Sequence, residues 1–485
     1  MKRKLWTLLL ALLGAALALC VGASATEVST ADALTGDSVE LNGEYKLIAD
    51  ITIDRSIVIK KEKSVTLDLN GHVLKYKSTA NGSVIKVEGG GHLTIQDSNT
   101  GSLSHKFIPN SDGLWVLDEN GSETILGGVI TGGTGTQWDQ YYRGGGVYVA
   151  PGGTLTMESG SIVGCSANGN GLSLGGGVYI DSSANSNAGT FTMNGGSIIG
   201  CTADGGGGVL VALECHFTMN TGAVIRSCTA QMGGGVYCLG MSGSSGMFTL
   251  NGGTIQSCKA LGRGGGGVSN SGEFLMQNGS IKGCTSEKDS NKSDGILNSG
   301  QFTMRGGTVE DNVTNSGTIN ADGGKITGAV TNGIHNGPGK ITGTSEDSGK
   351  TEFANTVTNH SNSTLSGFGK FTGRVTNNGG KITGFCTFTG TVINNGGKII
   401  GFCDFKEATL IGYLIVTFDP DNGAQSFTRP VPWCKDGAAL TEPSPAPTKD
   451  GYSFDGWYRG YGWDKWDFDT NKVSYTMTLT ARWTE

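Results

Sequence analysis

The chain has 485 residues, a formal net charge of −7 and 84 glycines, about twice the usual share of glycine. The acidic balance argues against nucleic acid as a partner, because such binding rests on a basic surface. Proline is scarce before the C-terminal region and no convincing amphipathic helix follows the leader. The composition therefore favours short strands joined by glycine corners.

Residues 1–25 have the pattern of a secretion signal. A basic segment at residues 2–4 precedes an apolar run from Leu5 to Leu19, and Ala23-Ser24-Ala25 supplies the small residues of a cleavage site. A membrane anchor is an alternative, although the apolar run is short for spanning a bilayer. Lipid attachment at Cys20 is another, which the preceding leucine disfavours. The sequence predicts an exported protein, extracellular or at the cell surface, whose mature chain is not inserted in a membrane.

A three-part phrase recurs about six times between residues 144 and 312. It consists of Gly-Val-Tyr-Val, as at 146–149, then an alternating Phe-Thr-Met, as at 191–193, then Ile followed three residues later by Cys, as at 198–201. Repetition with a period of roughly 30 residues is typical of a solenoid, whose units bury their apolar faces on their neighbours. Alternate residues of a strand point to opposite faces, so Phe and Met are expected inside.

Three short strands with glycine corners in each unit predict a right-handed parallel β-helix of about 12 to 16 coils. We place a lead-in or cap at residues 26–44 and the solenoid at 45–412, with its most regular repeats at 144–312. Residues 313–412 carry a shorter phrase, Lys-Ile-Thr-Gly, at uneven spacing and are expected to form degenerate coils. The predicted fold class is all-β, a solenoid followed by a small β-rich module.

One position of the repeat holds cysteine in five units and asparagine in the next. These residues are Cys165, Cys201, Cys228, Cys258, Cys284 and Asn312. Neighbouring coils would bring their Cα atoms to about 5 Å, so disulfides along the axis are conceivable. A free cysteine is also a good small core residue, and we favour an unpaired buried ladder. No Cys-x-x-Cys pair or histidine accompanies this column, so neither a metal nor another cofactor is expected.

Aromatic side chains are the candidates for ligand contact, because they combine apolar area with a polar group. Three tyrosines share one outward position of the repeat, and three further aromatics lie just before the first regular coil. These candidates are Tyr148, Tyr179, Tyr237, Trp138, Tyr141 and Tyr142. The alternative, which we favour for the tyrosines of the repeat, is that they pack beneath flanking loops.

From residue 413 the repeat stops, and proline and tryptophan appear. The strings Gly-Tyr-Ser-Phe-Asp-Gly-Trp-Tyr at 451–458, Trp-Asp-Phe at 466–468 and Thr-Leu-Thr-Ala-Arg-Trp at 478–483 resemble the internalin-type B-repeat, also called the Listeria–Bacteroides repeat. The resemblance covers nearly all of 413–485. It implies a small β-grasp-like spacer or interaction module found on secreted and surface proteins, usually of Gram-positive bacteria. The solenoid phrases are similar to the glycine-rich β-helix repeats of adhesin-like surface proteins.

These features predict a secreted, non-catalytic, adhesin-like binding protein of the cell surface or extracellular space. Its expected partner is a host or matrix glycan or protein, with association to the cell wall as a further expectation. The first alternative is a carbohydrate-active β-helix enzyme, either a polysaccharide lyase or a glycoside hydrolase. Such hydrolases need paired carboxylates, whereas the acidic residues of the repeat are scattered and the six histidines show no metal-ligand spacing. The second alternative is a passive structural stalk.

Overall fold

The computed structural model describes residues 24–36, 38–77, 79–167, 171–183, 188–287, 294–333, 337–343, 351–434, 436–460 and 464–485. The predicted signal peptide lies outside these ranges except for Ser24 and Ala25, so Ala23 is not described. The described chain confirms the all-β solenoid, because its short strands pair in parallel with the equivalent strands of neighbouring coils.

Three long sheets form the walls of the solenoid, and each coil contributes one strand to each wall. Within the described ranges, the first sheet consists of Thr26–Val28, Gly43–Leu47, Ser64–Asp68, His92–Gln96, Thr154–Met157, Thr190–Met193, His216–Met219, Met247–Leu250, Glu273–Met276, Gln301–Met304, Thr318–Ala321, Lys340–Thr342, Thr364–Ser366, Lys381–Gly384 and Lys398–Gly401. The second sheet, over the same ranges, consists of Ile51–Ile53, Val73–Tyr76, Val129–Thr131, Ser161–Val163, Ser197–Ile199, Val224–Arg226, Thr254–Gln256, Ser280–Lys282, Thr308–Val309, Lys325–Ile326, Glu352–Phe353, Lys370–Phe371 and Thr387–Phe388.

The third sheet closes each coil, and its last strand continues into the C-terminal module. Its described solenoid strands are Ile57–Ile59, Ile85–Val87, Val147–Val149, Val178–Ile180, Val209–Val211, Val236–Cys238, Val268–Asn270, Asp294–Asn298, Asn312–Asn315, Val330–Asn332, Val357–Asn359, Val375–Asn377, Thr391–Asn395 and Thr409–Asp419. Alternate residues of these strands point into the solenoid, and in several early coils the middle residue is buried as well, as at Tyr148, Tyr179 and Leu210.

An additional strand in each coil, which the repeat did not predict, lies between the second and third sheets from residue 136 to residue 286. These strands form a side sheet on one flank of the solenoid. In the described chain it contains Thr136–Trp138, Tyr141–Arg143, Leu172–Leu174, Thr202–Gly205, Thr229–Met232, Lys259–Ala260 and Thr285–Ser286. The sequence obscured it because its residues share no common phrase from one coil to the next, unlike the Phe-Thr-Met strands.

Shorter elements decorate the solenoid. They are the helix Asp32–Thr35, an antiparallel sheet of Ser104–Pro109, Trp115–Leu117 and Glu123–Leu126, and a hairpin of Gly240–Met241 with Ser244–Ser245. The antiparallel sheet packs Phe107 and Trp115 against Val163 and Ile199 of the second sheet. Residues 123–126, which lie within the range that we assigned to the solenoid, therefore belong to an insertion that covers this wall.

The C-terminal module is continuous with the last coil, since the strand Thr409–Asp419 crosses residue 413, where we placed the boundary. This strand pairs antiparallel with Phe427–Pro432 and parallel with Met477–Thr484. Met477–Thr484 also pairs antiparallel with Ser453–Arg459, and Ser453–Arg459 pairs with the short strand Asp464–Lys465. Trp433 meets Phe405 of the last coil edge-on at 5.1 Å. The module thus covers the end of the solenoid interior, where an open solenoid needs a cap.

Inward side chains of successive coils stack in columns. Phe191, Phe217, Phe248, Phe274 and Phe302 stack in the first sheet with ring centroids 4.7–5.0 Å apart. Phe353, Phe371, Phe388 and Phe405 form a second stack beside the second sheet, at 4.7–4.9 Å. The five ladder cysteines, Cys165, Cys201, Cys228, Cys258 and Cys284, are buried with unpaired thiols.

The structure places Asp311, rather than Asn312, at the next step of the cysteine column. Gly267 and Gly295 hold the same position in successive repeats. A side-chain carbon added to Gly267 would lie 3.2 Å from the sulfur of Cys284, a member of the column, and one added to Gly295 would lie 2.3 Å from the Cβ of Asp311. The coil is shorter here, so Asn312 already opens the third-sheet strand, paired with Asp294 beside a register shift. Counting three residues from Val309, as in earlier coils, therefore gives Asn312, one residue beyond the residue that occupies the column.

A column of buried asparagines, absent from our sequence predictions, runs through the third sheet. Its members are Asn270, Asn298, Asn315, Asn332, Asn359, Asn377 and Asn394. Each of the first six donates from Nδ2 to Oδ1 of the next, at 2.7–2.8 Å. Each amide also donates to at least one backbone carbonyl, as Asn332 does to Gly339 and Thr364 at 3.2 Å. Hydrogen bonding of this kind offsets the cost of burying an amide.

Candidate functional site

The candidate site begins with a hairpin at the edge of the side sheet. Thr136–Trp138 and Tyr141–Arg143 pair antiparallel, with Trp138 opposite Tyr141. Asp139, in the two-residue connection, has φ of 56°, the left-handed conformation that tight hairpins require. Tyr141–Arg143 then runs parallel to Leu172–Leu174 of the next coil. The hairpin thus stands on the flank of the solenoid, beside the third sheet.

Three glycines turn the chain from this hairpin into the third sheet. Gly144 has φ of 59°, and a side-chain carbon there would lie 2.4 Å from the carbonyl oxygen of Val147. At Gly146 the added carbon would lie 2.7 Å from the carbonyl oxygen of Gly177 in the next coil. The corner needs glycine for both conformation and space. It brings Arg143 over the third sheet, where Tyr148 and Tyr179 lie in register.

Asp181, directly after the third-sheet strand Val178–Ile180, joins these residues into one buried cluster. Its Oδ2 accepts hydrogen bonds from Arg143 Nη1 and from the Tyr148 hydroxyl, both at 2.7 Å. Its Oδ1 accepts from the backbone N–H of Ser182 at 2.9 Å and from the Tyr179 hydroxyl at 3.4 Å. Four donors therefore occupy the carboxylate, which makes Asp181 a structural acceptor.

The charges and rings around Arg143 reinforce this arrangement. Burial disfavours its charge, but the facing Tyr179, Asp181 and Tyr148 outweigh that effect and raise the pKa of the guanidinium above its usual range. Burial, followed by the negative charge of Asp181, raises the pKa of Tyr148 and of Tyr179 far above the usual range. Both tyrosines therefore stay protonated and can donate. The guanidinium carbon also lies 5.3–6.0 Å from the ring centroids of Trp138, Tyr141 and Tyr179, within the range of cation–π attraction.

A cleft of about 600 Å³ opens beside this cluster. Its wall includes Trp138, Arg143, Tyr148 and Asp181, with Lys86 and Glu88 from the preceding coil. Lys86 lies in register with Tyr148 on the third sheet. Trp138 remains 65% exposed, so the site offers a large aromatic surface beside polar groups of both charges. An aromatic surface flanked by hydrogen-bonding groups suits a sugar ring or a polar peptide.

The structure separates the six aromatic candidates into different roles. Trp138 is exposed, and Tyr141 and Tyr237 are partly exposed. Tyr142, Tyr148 and Tyr179 are buried. Tyr148 and Tyr179 do not present free rings, because the hairpin and side sheet cover them; this matches the alternative in which they pack under flanking segments. Tyr237 instead lines a separate, mostly apolar depression with Leu172 and Met232.

Arg143 and Asp181 are the site residues that sequence reasoning missed. They lie 38 positions apart, and only the coil stacking brings them to 2.7 Å. An arginine directly before a triple glycine and an aspartate directly after the Val-Tyr-Ile strand were the available signals. Within the described ranges, no group of three or more histidine, cysteine, aspartate or glutamate residues could hold a metal ion. No helix in the described part of the chain is long and apolar enough to cross a membrane.

Comparison with known proteins bears on the C-terminal module. Residues 415–482 match the family model of the Listeria-Bacteroides repeat domain. This confirms the resemblance seen in the three aromatic strings. In the structure, the Listeria-Bacteroides repeat contains the buried Trp457, whose ring meets that of Phe418 edge-on at 4.9 Å. The repeat thus folds around an aromatic core that packs on the strand leaving the solenoid.

Two curated proteins of Evansella cellulosilytica share a limited stretch with this chain. One, named "Putative Gly-rich membrane protein", is 41% identical over 69 residues, which are 14% of this chain and 8% of that protein. The other, named "Putative membrane protein", is 48% identical over 48 residues, 10% of this chain and 7% of that protein. The similarity therefore spans a small part of either relative. No solved structure matches the chain significantly.

Proposed function

We propose that this is an exported, non-catalytic, adhesin-like surface protein that binds a glycan in the cleft beside Trp138. The solenoid serves as a rigid scaffold, and the Listeria-Bacteroides repeat closes its end. The observation that carries the proposal is the exposed Trp138 ring, held beside the buried Arg143–Asp181 cluster at the rim of a cleft of about 600 Å³. Rigid support of an aromatic platform reduces the entropy lost on binding.

The neighbouring polar groups suit sugar hydroxyls. Lys86 can donate and Glu88 can accept, and neither forms an ion pair within the described residues. Trp138 itself is fixed by its hairpin partner Tyr141 and by the guanidinium of Arg143, 6.0 Å from its ring centroid. A sugar stacked on this ring would therefore meet donors and acceptors that are already in place.

The occupancy of Asp181 supports a binding role over catalysis. Glycoside hydrolysis uses a pair of carboxyl groups that can exchange protons or attack the substrate. Asp181 already accepts four hydrogen bonds, so Glu88 is the carboxylate of this cleft with free acceptor capacity. One available carboxylate does not provide the acid and base of that reaction.

A surface location is supported by the C-terminal match and by the names of the two relatives. The Listeria-Bacteroides repeat suggests a surface or extracellular protein, and both matched relatives are named as membrane proteins. The N-terminal pattern of a secretion signal is consistent with export.

The test is a binding and turnover assay on immobilised plant and host polysaccharides and mucin, with and without calcium. The protein lacking its predicted signal peptide is incubated with each glycan, and both retained protein and released reducing ends are measured. We expect retention on at least one glycan without product release. Trp138→Ala should weaken retention about tenfold, since buried tryptophan contacts commonly contribute more than 1.4 kcal/mol.

Tyr452→Ala is the matched control, because Tyr452 is an exposed aromatic of the C-terminal module, far along the chain from the cleft. Its retention should equal that of the parent protein. Product release from any glycan would contradict the non-catalytic proposal. Retention on no glycan, or equal loss in both variants, would contradict the cleft as the binding site.

A further inference from the structure

A second exposed surface lies at the opposite end of the solenoid, on the outer face of the first sheet. The last two strands of this sheet, Lys381–Gly384 and Lys398–Gly401, place Lys381 beside Lys398 and Thr383 beside Ile400. Phe385 and Phe402 follow directly after these strands. Lys381, Lys398, Ile400, Phe385 and Phe402 are all exposed and together form what we call the lysine–phenylalanine face.

The aromatic part of this face is a stack that ends in the open. Phe368 and Phe385 stack at 5.1 Å between ring centroids, and Phe385 and Phe402 at 5.7 Å. Phe385 is 49% exposed, Phe402 80% and Ile400 39%. The interior phenylalanine stack, by contrast, ends at Phe405 under the edge of Trp433. Exposed apolar side chains grouped in this way indicate an interaction surface.

The lysines add two neighbouring positive charges to this face. Lys381 and Lys398 are direct neighbours in the parallel register, where like charges are destabilising. Neither forms an ion pair within the described residues. The chain as a whole carries a net charge of −7, so this is a local basic strip on an acidic protein. An anionic partner would relieve the repulsion.

The combination of side chains distinguishes between the anionic partners that such a strip could bind. Both faces of Phe385 are covered by the neighbouring rings of the stack, and Phe402, at the end of the stack, is 80% exposed. Ile400, beside Thr383 on the outer face, adds exposed apolar area that offers no ring plane to a sugar. Exposed apolar side chains beside lysines match the interface of a lipid bilayer, where rings enter the headgroup boundary and ammonium groups meet anionic lipid.

We propose that the lysine–phenylalanine face docks the protein on the surface of an anionic lipid bilayer. Phe402 and Phe385 enter the interface with Ile400, while Lys381 and Lys398 contact lipid phosphates. The contact is peripheral and reversible, because two lysines and three apolar side chains provide a limited interaction. It is independent of glycan binding, since Trp138 lies on the flank of much earlier coils.

The test is sedimentation with vesicles of phosphatidylcholine containing 30% phosphatidylglycerol, compared with vesicles of phosphatidylcholine alone. We expect binding to the anionic vesicles that weakens as salt increases. The pair Lys381→Gln and Lys398→Gln should lose about 25-fold, about fivefold for each lysine near an anionic surface. The pair Phe385→Ser and Phe402→Ser should lose at least about tenfold, because the apolar insertion is removed.

Matched controls remove the same chemistry elsewhere. Lys340→Gln deletes a lysine of the same column two coils earlier, and Leu126→Ser deletes a 60% exposed apolar side chain on the antiparallel insertion. Both should bind anionic vesicles as the parent does, and so should Trp138→Ala. The proposal would be overturned if the protein bound both vesicle types equally, or if the control variants lost as much binding as the double variants. It would also be overturned if a soluble anionic polysaccharide displaced the protein from the vesicles and the binding did not depend on the two phenylalanines. Unchanged protease resistance of the two double variants verifies that they are folded.

Discussion

The two halves of the solenoid share their walls but differ in what fills the interior corner of the third sheet. In residues 144–287, the thiol half, the last inward position of the third-sheet strand is aliphatic or cysteine from Val149 to Cys238 and becomes asparagine in the last coil, at Asn270; a cysteine column lies nearby. In residues 294–401, the amide half, that position is asparagine in every described coil. The same backbone path thus accepts an apolar or a hydrogen-bonded core.

The large aromatic side chains change walls between the halves. The thiol half has phenylalanine on the first sheet and isoleucine on the second, as in Phe217 and Ile225. The amide half reverses this arrangement from its third coil onward, as in Ile382 and Phe388. The coil between the two arrangements has Ile319 and Ile326 and carries a phenylalanine on neither of these walls. Because interiors are packed to nearly constant density, the coils on either side of it hold one phenylalanine each, on one wall or the other. The comparison indicates that the presence of one large ring per coil matters more than the wall that carries it.

The junction between the halves shows why the asparagine column must be continuous. Every internal member donates to the next coil and accepts from the previous one, but the Oδ1 of Asn270, the first member, has no donor among the residues that the structure describes. The preceding coil has Cys238 at this position, whose thiol is directed at the carbonyls of Gly246 and Glu273. One unsatisfied oxygen at the start is the cost of changing core type, and a break within the column would create more.

Interrupting the asparagine column should give the largest effect. In Asn332→Leu, the buried Oδ1 of Asn359 loses its donor, while the Nδ2 of Asn315 loses its side-chain acceptor but keeps the carbonyls of Gly317 and Lys340. We expect a loss of about 3–5 kcal/mol in the free energy of unfolding, from one unsatisfied oxygen at about 1–3 kcal/mol and from the other lost hydrogen bonds of Asn332 at about 0.5–1.5 kcal/mol each. Urea denaturation, followed by tyrosine and tryptophan fluorescence, measures the loss.

Asn395→Ala is the control for this substitution. Asn395 makes the same type of side-chain bond, to Asn378 at 2.9 Å, but on the exposed side of the chain. Its replacement should cost less than about 0.5 kcal/mol, because water replaces the lost partner. If Asn332→Leu were no more destabilising than Asn395→Ala, the column would be incidental to the stability of the amide half.

The walls of both halves could be predicted from sequence, and the asparagine column could not. Alternation in Phe-Thr-Met identifies inward residues because apolar side chains are normally buried. The amide half repeats Val-Thr-Asn at 313–315, 330–332, 357–359 and 375–377, which was the available signal. Alternation would place Asn inside with Val, but a single unit offers no partner for a buried amide. The partner is the same residue of the next coil, so only stacking reveals it.

The candidate site was predictable to a similar extent. Trp138 and Tyr141 could be selected as aromatics near the first regular coil; the structure places Trp138 in the wall of the cleft and Tyr141 beside the guanidinium of Arg143. Packing of Tyr148 beneath a flanking segment was the favoured interpretation, but the side sheet that covers it could not be identified, because its strands lack a repeated phrase. The Arg143–Asp181 pair depends on the length of the coil between them. Distances along the chain become contacts only once the stacking register is known.

Exchanging the aromatic between walls within the thiol half tests whether the wall that carries the ring matters. Phe217→Ile should leave a void and cost about 2 kcal/mol, and Ile225→Phe should overpack the same coil at about 1–3 kcal/mol. The double variant imitates the amide half. We expect the loss in its free energy of unfolding to be smaller, by at least about 1 kcal/mol, than the sum of the losses in the two single variants. Strict additivity in the denaturation midpoints would mean that the two walls do not share one packing volume.

Alkaline titration should distinguish the halves by the smallest effect, because thiols titrate and amides do not. Burial raises the pKa of Cys215 and of Cys238 to about 12, so the native state keeps protons that the unfolded chain releases from pH 9 upward. Stability is therefore fully present below pH 9 and falls between pH 9 and 12. The variant Cys215→Ala with Cys238→Ala should lose less stability between pH 9 and 10 than the parent, by about 1 kcal/mol for each thiol.

The unfolded chain's tyrosines, with a pKa of about 10, begin to titrate in this interval, but they are the same in the parent and in the double variant, so the difference between the two proteins isolates the thiols. Cys434→Ala, which removes an exposed thiol of the C-terminal module, is the control substitution. An equal slope in the parent and in the double variant would show that the two buried thiols release protons alike in both states. The alkaline sensitivity would then belong to another part of the molecule, and the two cores would respond to pH in the same way.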